Sequence, residues 1–249
     1  MRVVLLVSFL ALGGCAGAAK KPSPIVVLHD SQARFAAFPV ARSPVFVLYE
    51  DGRTIYRSNR PSGYRSVRLD EGERKRIEGL LTPELGELDQ DIDVIERTPA
   101  PPPPDPSFAK LNFWRDGRRR TIYVHGYLGA RSENRTRCPR AFLNLYDALR
   151  EFEHAGSEPW TPEKIVVRFR EHASNDQPSR WPDGWPDLTH ATTRQDEEGW
   201  TLYLDFRNLD QLAAMWAHPG NSHADVEING RRGSIHYWYS FPLEESWGY

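Results

Sequence analysis

The sequence predicts an α+β fold, in which antiparallel β-hairpins form a sheet and about three helices pack on it. Two observations lead to that class. Three turn dipeptides, Asp51-Gly52, Asp116-Gly117 and Asn229-Gly230, each lie between alternating apolar runs, the strongest short-range hairpin signal. Three other segments repeat apolar residues at helical spacing, and strand runs mixed with a few helices give sheet-plus-helix packing.

Along the chain, Val45, Val47 and Tyr49 share one face of the first strand and Phe46 and Leu48 the other. Two apolar faces predict an inner strand. Asp70 with Glu73 opens a helix as a capping box, and Ile77, Leu80 and Leu81 form its stripe. A second hairpin spans Leu111 to His125. Pro139 suits a first helical position, with Phe142, Leu145, Leu149 and Phe152 on one face until Gly156. Strands alternate over Lys164–Arg170 and Trp200–Phe206. Asn208 with Gln211 opens a third helix, with Leu209, Leu212, Ala213 and Trp216 inward and Pro219-Gly220 ending it. A hairpin from Asp225 to Tyr239 follows. The units 45–82 and 111–155 share a plan, with slight residue similarity. The run Phe46-Val-Leu-Tyr-Glu-Asp-Gly-Arg53, followed by a helix ending in Leu80-Leu81, resembles a pattern of uncharacterised secreted bacterial proteins. That resemblance implies no particular chemistry.

The first residues carry an address. Arg2 precedes an apolar run from Val3 to Leu12, broken by Ser8. It is too short for a bilayer helix, which needs about 20 residues, and has the length of a signal-peptide core. Leu12-Gly13-Gly14-Cys15 resembles the lipobox of bacterial lipoproteins. The resemblance implies a diacylglyceryl group on the Cys15 thiol, cleavage after Gly14, and acylation (palmitate) of the new N-terminus. Ala16, in place of an aspartate, points within that resemblance to the outer membrane of an organism that has one. The alternative is an ordinary secretory signal cut after Ala16-Gly17-Ala18. The expected organisation is a signal peptide at 1–14, a tether at 15–42 ordered near Phe35–Val40, and a single α+β domain at 43–249. A polyproline spacer at 98–106 interrupts it. Residues 45–249 are expected to form one cooperative unit, since neither half shows enough strands for a closed sheet.

Of 249 residues, 39% are hydrophobic and 27% charged, ordinary for a folded domain. The formal charge of −2 gives no electrostatic footprint for nucleic acid. With Cys15 lipidated, Cys138 has no disulfide partner. Its place before Pro139, at a helix start, allows either a lowered thiol pKa or a small buried side chain.

Local catalytic motifs are sparse. No G-x-S-x-G, H-E-x-x-H or C-x-x-C occurs. Val124-His125-Gly126-Tyr127 has the look of a hydrolase oxyanion segment but lacks its serine. Asp89-Gln-Asp-Ile-Asp93 fails as an EF-hand, with Val94 at the glycine position and Ala100 at the glutamate. His218, His223, Asp225 and His236 are the densest set of metal-ligand types. Trp181 and Trp185, each followed by proline with Gly184 between, are the expected ligand-contacting residues, partly exposed on an extended turn. The expectation is a lipid-anchored binding or structural domain of the cell envelope, not an enzyme, with no cofactor or metal. Its partners are the membrane and an envelope protein or polymer, not nucleic acid. The alternative is an envelope hydrolase whose active site is drawn from several loops.

Overall fold

The computed structural model describes residues 22–31, 43–59, 62–88, 91–93, 107–115, 117–172, 178–215 and 224–242. Strands and helices are mixed, and the strands form two mostly antiparallel sheets that follow one another along the chain. The first holds β1 (Pro24–Ser31), β2 (Phe46–Tyr49), β3 (Arg53–Asn59), β4 (Ser62–Arg68), β5 (Asp91–Asp93), β6 (Phe108–Arg115), β7 (Arg118–His125) and β8 (Glu158–Pro159). Their order across the sheet is β5-β7-β6-β1-β2-β3-β4-β8. The second holds β9 (Lys164–Glu171), β10 (Ser179–Arg180), β11 (Arg194–Asp196), β12 (Gly199–Asp205), β13 (Ala224–Ile228) and β14 (Arg231–Tyr239), ordered β10-β13-β14-β9-β12-β11. Only the β5–β7 and β10–β13 pairs are parallel among the described residues.

All three expected hairpins form, as β2–β3, β6–β7 and β13–β14. Their turns differ. Asn229 and Gly230 both have positive φ, +51° and +75°, as a two-residue type I′ turn requires. At Asp51-Gly52 only Gly52 is positive, at +79°, and its N–H donates to the Tyr49 carbonyl at 2.9 Å, closing a longer turn. β2 is an inner strand between β1 and β3, with every residue buried.

Two expectations are corrected. The sheet is two sheets, because a chain bearing this many strands covers its apolar faces with separate cores. The stretch expected as tether contains β1, buried between β2 and β6 near the middle of the first sheet. Ile25-Val-Val-Leu28 reads from the sequence as a short apolar patch within the tether, yet Val26, Val27 and Leu28 are fully buried. The expected ordering near Phe35–Val40 lies outside the described residues, as do the signal peptide and the proline run. That run falls inside the first sheet's connectivity, between β5 and β6. The first sheet therefore draws strands from both sides of the run, while the second lies wholly after it.

Four helices occur among the described residues: α1 (Glu71–Glu78), α2 (Pro83–Glu87), α3 (Arg140–Arg150) and α4 (Leu209–Ala214). α1 opens with the expected capping box: Asp70 Oδ1 accepts from the Glu73 N–H, and Glu73 Oε2 from the Asp70 N–H. α3 starts one residue later than expected, with Pro139 at its N-cap, and ends at Arg150. Its face of Phe142, Leu145, Tyr146 and Leu149 packs with Ile77 and Leu85 onto Val26, Leu28, Leu111 and Phe113. Each such side chain contributes about 1.5–3 kcal/mol by burial. α4 sends Leu212 into the second core, beside Ile165, Val167, Phe169 and Leu202. None of these helices is long and apolar enough to cross a membrane.

A third core joins the two sheets. Val27, Val47 and Ile55, on the face of the first sheet opposite the helices, meet Tyr49, Tyr64, Phe241 and Trp160. Tyr64 takes Trp160, Tyr239 and Phe241 edge-on at 5.8, 5.5 and 5.5 Å. Its hydroxyl donates to the Pro44 carbonyl at 2.8 Å, and its own carbonyl accepts from the Trp160 N–H at 2.9 Å.

The second sheet holds two glycines at tight backbone approaches, Gly199 and Gly233, the latter against the Arg170 carbonyl. Gly199 has φ +133°, and a Cβ there would collide with the Phe169 carbonyl. Gly184, at φ +84°, has nothing within 4 Å of a Cβ. Gly199→Ala is expected to lower unfolding free energy by at least about 3 kcal/mol, from clash and strained backbone together. Gly184→Ala should cost only about 1 kcal/mol, the backbone penalty alone. Denaturant melts of both variants check the contrast.

Candidate functional site

Of the two rings expected to be partly exposed, Trp185 is and Trp181 is not. Trp181 is 6% exposed and sits in the second core, with Trp185 half-buried beside it, the rings edge-to-face at 5.1 Å. The turn itself forms as expected: the Trp185 N–H donates to the Pro182 carbonyl at 3.3 Å, with Gly184 in the left-handed region. Its consequence is different. The turn folds Trp181 back onto β13, where the Trp181 N–H donates to the Glu227 carbonyl and its indole Nε1–H to the Pro186 carbonyl at 3.0 Å. Asp187 then fastens the loop to the β13–β14 turn, accepting from Asn229 Nδ2 at 2.9 Å and from the Thr189 N–H at 2.8 Å. Those hydrogen bonds, Asn229 foremost, hold its carboxyl down to about 2. A large ring on a long loop is better desolvated against a sheet than left in water, and for Trp181 this outweighed the exposed reading.

The other sequence candidates are dispersed. His218 and His223 lie outside the described residues, and so does Cys15. Asp225 faces His172, at 3.2 Å from its Nε2, and His236 stands opposite Arg168. No group of three metal-ligating side chains converges among the described residues. Cys138 is buried, and desolvation pushes its thiol up to about 12, so it is the buried side chain and not a reactive thiolate. Asp91–Asp93 of the acidic loop becomes β5, an edge strand.

What the structure does assemble is a row of titratable side chains across four strands. In register, Asp91 of β5 lies beside Tyr123 of β7, Tyr123 beside Lys110 of β6, and Lys110 beside His29 of β1. Paired residues share a face, with Cβ atoms about 5 Å apart, so the four stand in one line. The face is the one opposite the helices, because neighbouring positions Leu28, Leu111, Ile122 and Val124 belong to the helix-covered core. Next to this row Phe108 stacks on Tyr123 at 5.1 Å and 18°, and Tyr123 lies against His125 at 4.3 Å. Asn112 and Thr121 close the other side, joined by a 2.9 Å hydrogen bond.

Burial sets the electrostatics of the row. Lys110 is half-buried, and desolvation lowers its pKa, helped by the like charge of Arg119. Tyr123 is also half-buried; desolvation raises its phenol pKa, helped by Asp91. His29 is 6% exposed. Half-buried Lys110 and exposed Arg119 put two positive charges on one face of the sheet. Stacked rings alongside offer flat apolar faces to sugar rings or planar groups.

No family model matches this chain, and no curated protein and no solved structure matches it. The row's geometry is therefore the only guide to what it does.

Sequence reasoning passed over this row. The alternation Phe108-Ala-Lys-Leu-Asn-Phe113 shows that Lys110 and Asn112 share a face, but nothing local says that His29 lies next to them. A second polar cluster sits under α3: Arg150 Nε donates to Asp30 Oδ2 at 2.9 Å, and Asp30 is 6% exposed. Burial and Asp30 push the neighbouring Tyr146 phenol far up. This cluster fastens α3 to β1 from beneath the helix and is read as a brace.

For the tryptophans the expected outcome is now a stability difference. Trp181→Ala should cost about 3–5 kcal/mol, the range for an aromatic removed from a core. Trp185→Ala, at the half-buried position, should cost clearly less. Thermal unfolding of the two variants beside wild type checks the order.

Proposed function

We propose that the chain is a lipid-anchored extracytoplasmic protein of the cell envelope that binds an acidic partner, an envelope polymer or protein, through the Lys110 row. The address rests on the lipobox at Leu12–Cys15. The observation that carries the binding reading is Lys110 itself. Its ammonium stands half-buried between Tyr123 and His29, with Arg119 nearby, and both burial and that like charge work against it. Lys110 and Arg119 put two positive charges on one face of the sheet, and an acidic partner is attracted to that face. Phe108 and Tyr123 beside it supply the stacking surface that sugar rings use.

The same lowered Lys110 favours a second reading, an envelope hydrolase with Lys110 as general base, because a lysine titrating nearer neutrality is suited to proton transfer. One substitution separates the two. Arginine keeps the positive charge and cannot give up its proton.

Two measurements test the proposal. Radiolabelled palmitate should enter the wild-type chain and not Cys15→Ser; equal labelling of both would overturn the address. Soluble acidic wall-glycan fragments, titrated calorimetrically, should bind wild type and Lys110→Arg alike and bind Lys110→Met about tenfold more weakly, the worth of one charge-assisted hydrogen bond. Unchanged binding by Lys110→Met would overturn the site. Cleavage of the fragments by wild type but not by Lys110→Arg would decide for the hydrolase.

A further inference from the structure

The chain enters the first sheet at the end where arginines collect. β1 begins at Pro24, and Ser23 is tied to the β2–β3 turn: the Glu50 N–H donates to the Ser23 carbonyl at 2.9 Å, and the Ser23 N–H to Glu50 Oε2 at 3.2 Å. β6 runs antiparallel to β1, with Val26 opposite Phe113, so this same end carries the β6–β7 turn. That turn reads Arg115-Asp-Gly-Arg-Arg-Arg120. Arg118 and Arg119 are exposed. The register puts Arg115, Arg118 and Arg120 on the side of Phe113 and Arg119 on the side of Trp114, so the turn is basic on both faces. In the neighbouring β2–β3 turn the acids are already engaged: Asp51 pairs with Arg68 at 3.1 Å, and Glu50 holds Ser23. By sequence the turn carries one acid, Asp116, among four arginines, of which Arg115 donates to the Thr82 carbonyl at 3.2 Å.

The tether decides how this end can sit. From Cys15 to Pro24 is nine residues (24 − 15), about 30 Å at full stretch. β1 is eight residues, about 26 Å long. For the opposite end of the sheet to touch a membrane, the tether would have to run back along nearly the whole strand. The entry end needs no such extension, and Lys20 and Lys21 within the tether add to its positive charge.

We propose that the arginine end of the first sheet lies on the membrane, against anionic lipid headgroups, with the β6–β7 turn as its contact. This rests on the reading that Cys15 is lipidated. The acyl chains on Cys15 already hold the protein to the bilayer, and the basic patch then sets which end of the sheet faces it. Each arginine at such a surface is worth about fivefold in binding. The Lys110 row lies further along the strands, five residues beyond Pro24 on β1, and so stands off the surface toward the aqueous side.

Hydrogen exchange on the lipidated full chain tests this, in vesicles of phosphatidylcholine alone and in vesicles of phosphatidylcholine mixed with phosphatidylglycerol. Amides of residues 115–120 should exchange at least about fivefold more slowly on the mixed vesicles. Residues 126–132, which follow β7 at the other end, should not change. High salt, and the variant Arg118→Glu/Arg119→Glu, should each abolish the difference, salt by screening within a few ångströms. Equal exchange on the two vesicle types, or protection at 126–132, would overturn the proposal. A chain that fails to associate with the neutral vesicles shows that the anchor reading has failed. Docking is then read from the mixed vesicles alone: wild type should bind, and the double variant at least about 25-fold more weakly, with equal binding overturning it.

Discussion

Tyr64 stands where the two sheets meet, with three rings closed edge-on around it and both its polar ends tied to backbone. Trp160 follows the last strand of the first sheet, whereas Tyr239 and Phe241 come from the end of the chain's final hairpin. The junction thus gathers three parts of the sequence that are far apart. It is reinforced by the Tyr49 hydroxyl, which donates to the Pro242 carbonyl at 2.9 Å, and by Ser43 Oγ, which accepts from the Tyr239 N–H at 3.0 Å. Edge-to-face aromatic pairs add about 0.5–1.5 kcal/mol each beyond the area they bury, so three on one ring form a strong local tie. The remaining architecture follows from what this tie covers. It seals the apolar part of the first sheet's outer face, over Val27, Val47 and Ile55, and stops short of the row that holds Lys110 and His29.

That division of one sheet face into a sealed half and a polar half is what gives the candidate site its character. Along β1 the same face carries Val27 in the junction and, two residues on, His29 in the row. The other face of the strand holds Leu28 under the helices and Asp30 in its pair with Arg150. On that second face Asp30 is met by the helix arginine Arg150, while on the first His29 lies in register beside Lys110. β1 is therefore the strand on which core, brace, candidate site and membrane tether converge.

Most of the local structure was legible from residues. The capping box at Asp70 and Glu73 formed with both hydrogen bonds, because capping chemistry acts over three residues. The three hairpins formed because turn residues and alternation are local too. The failures are nonlocal. β1 lacks a hairpin turn and pairs with β6, some 85 residues away, so its short apolar run looked like part of a tether. Trp181 and Trp185 took the turn expected of them, yet which way that turn faced depended on β13 and Asn229, about 40 residues downstream. The Lys110 row needs four strands in register before it exists at all, and no window of sequence contains it.

The account stands on the two sheets being one folded unit through the Tyr64 junction, even though each has its own core. Differential scanning calorimetry of the full chain, wild type beside Tyr64→Ala, tests that directly. The account predicts a single wild-type transition with matching calorimetric and van't Hoff enthalpies. It predicts for the variant a loss of about 3–5 kcal/mol and a separation into two transitions, as removal of a buried aromatic uncouples the sheets. Two transitions already present in the wild type, or a variant that melts as one unit at an unchanged temperature, would contradict it.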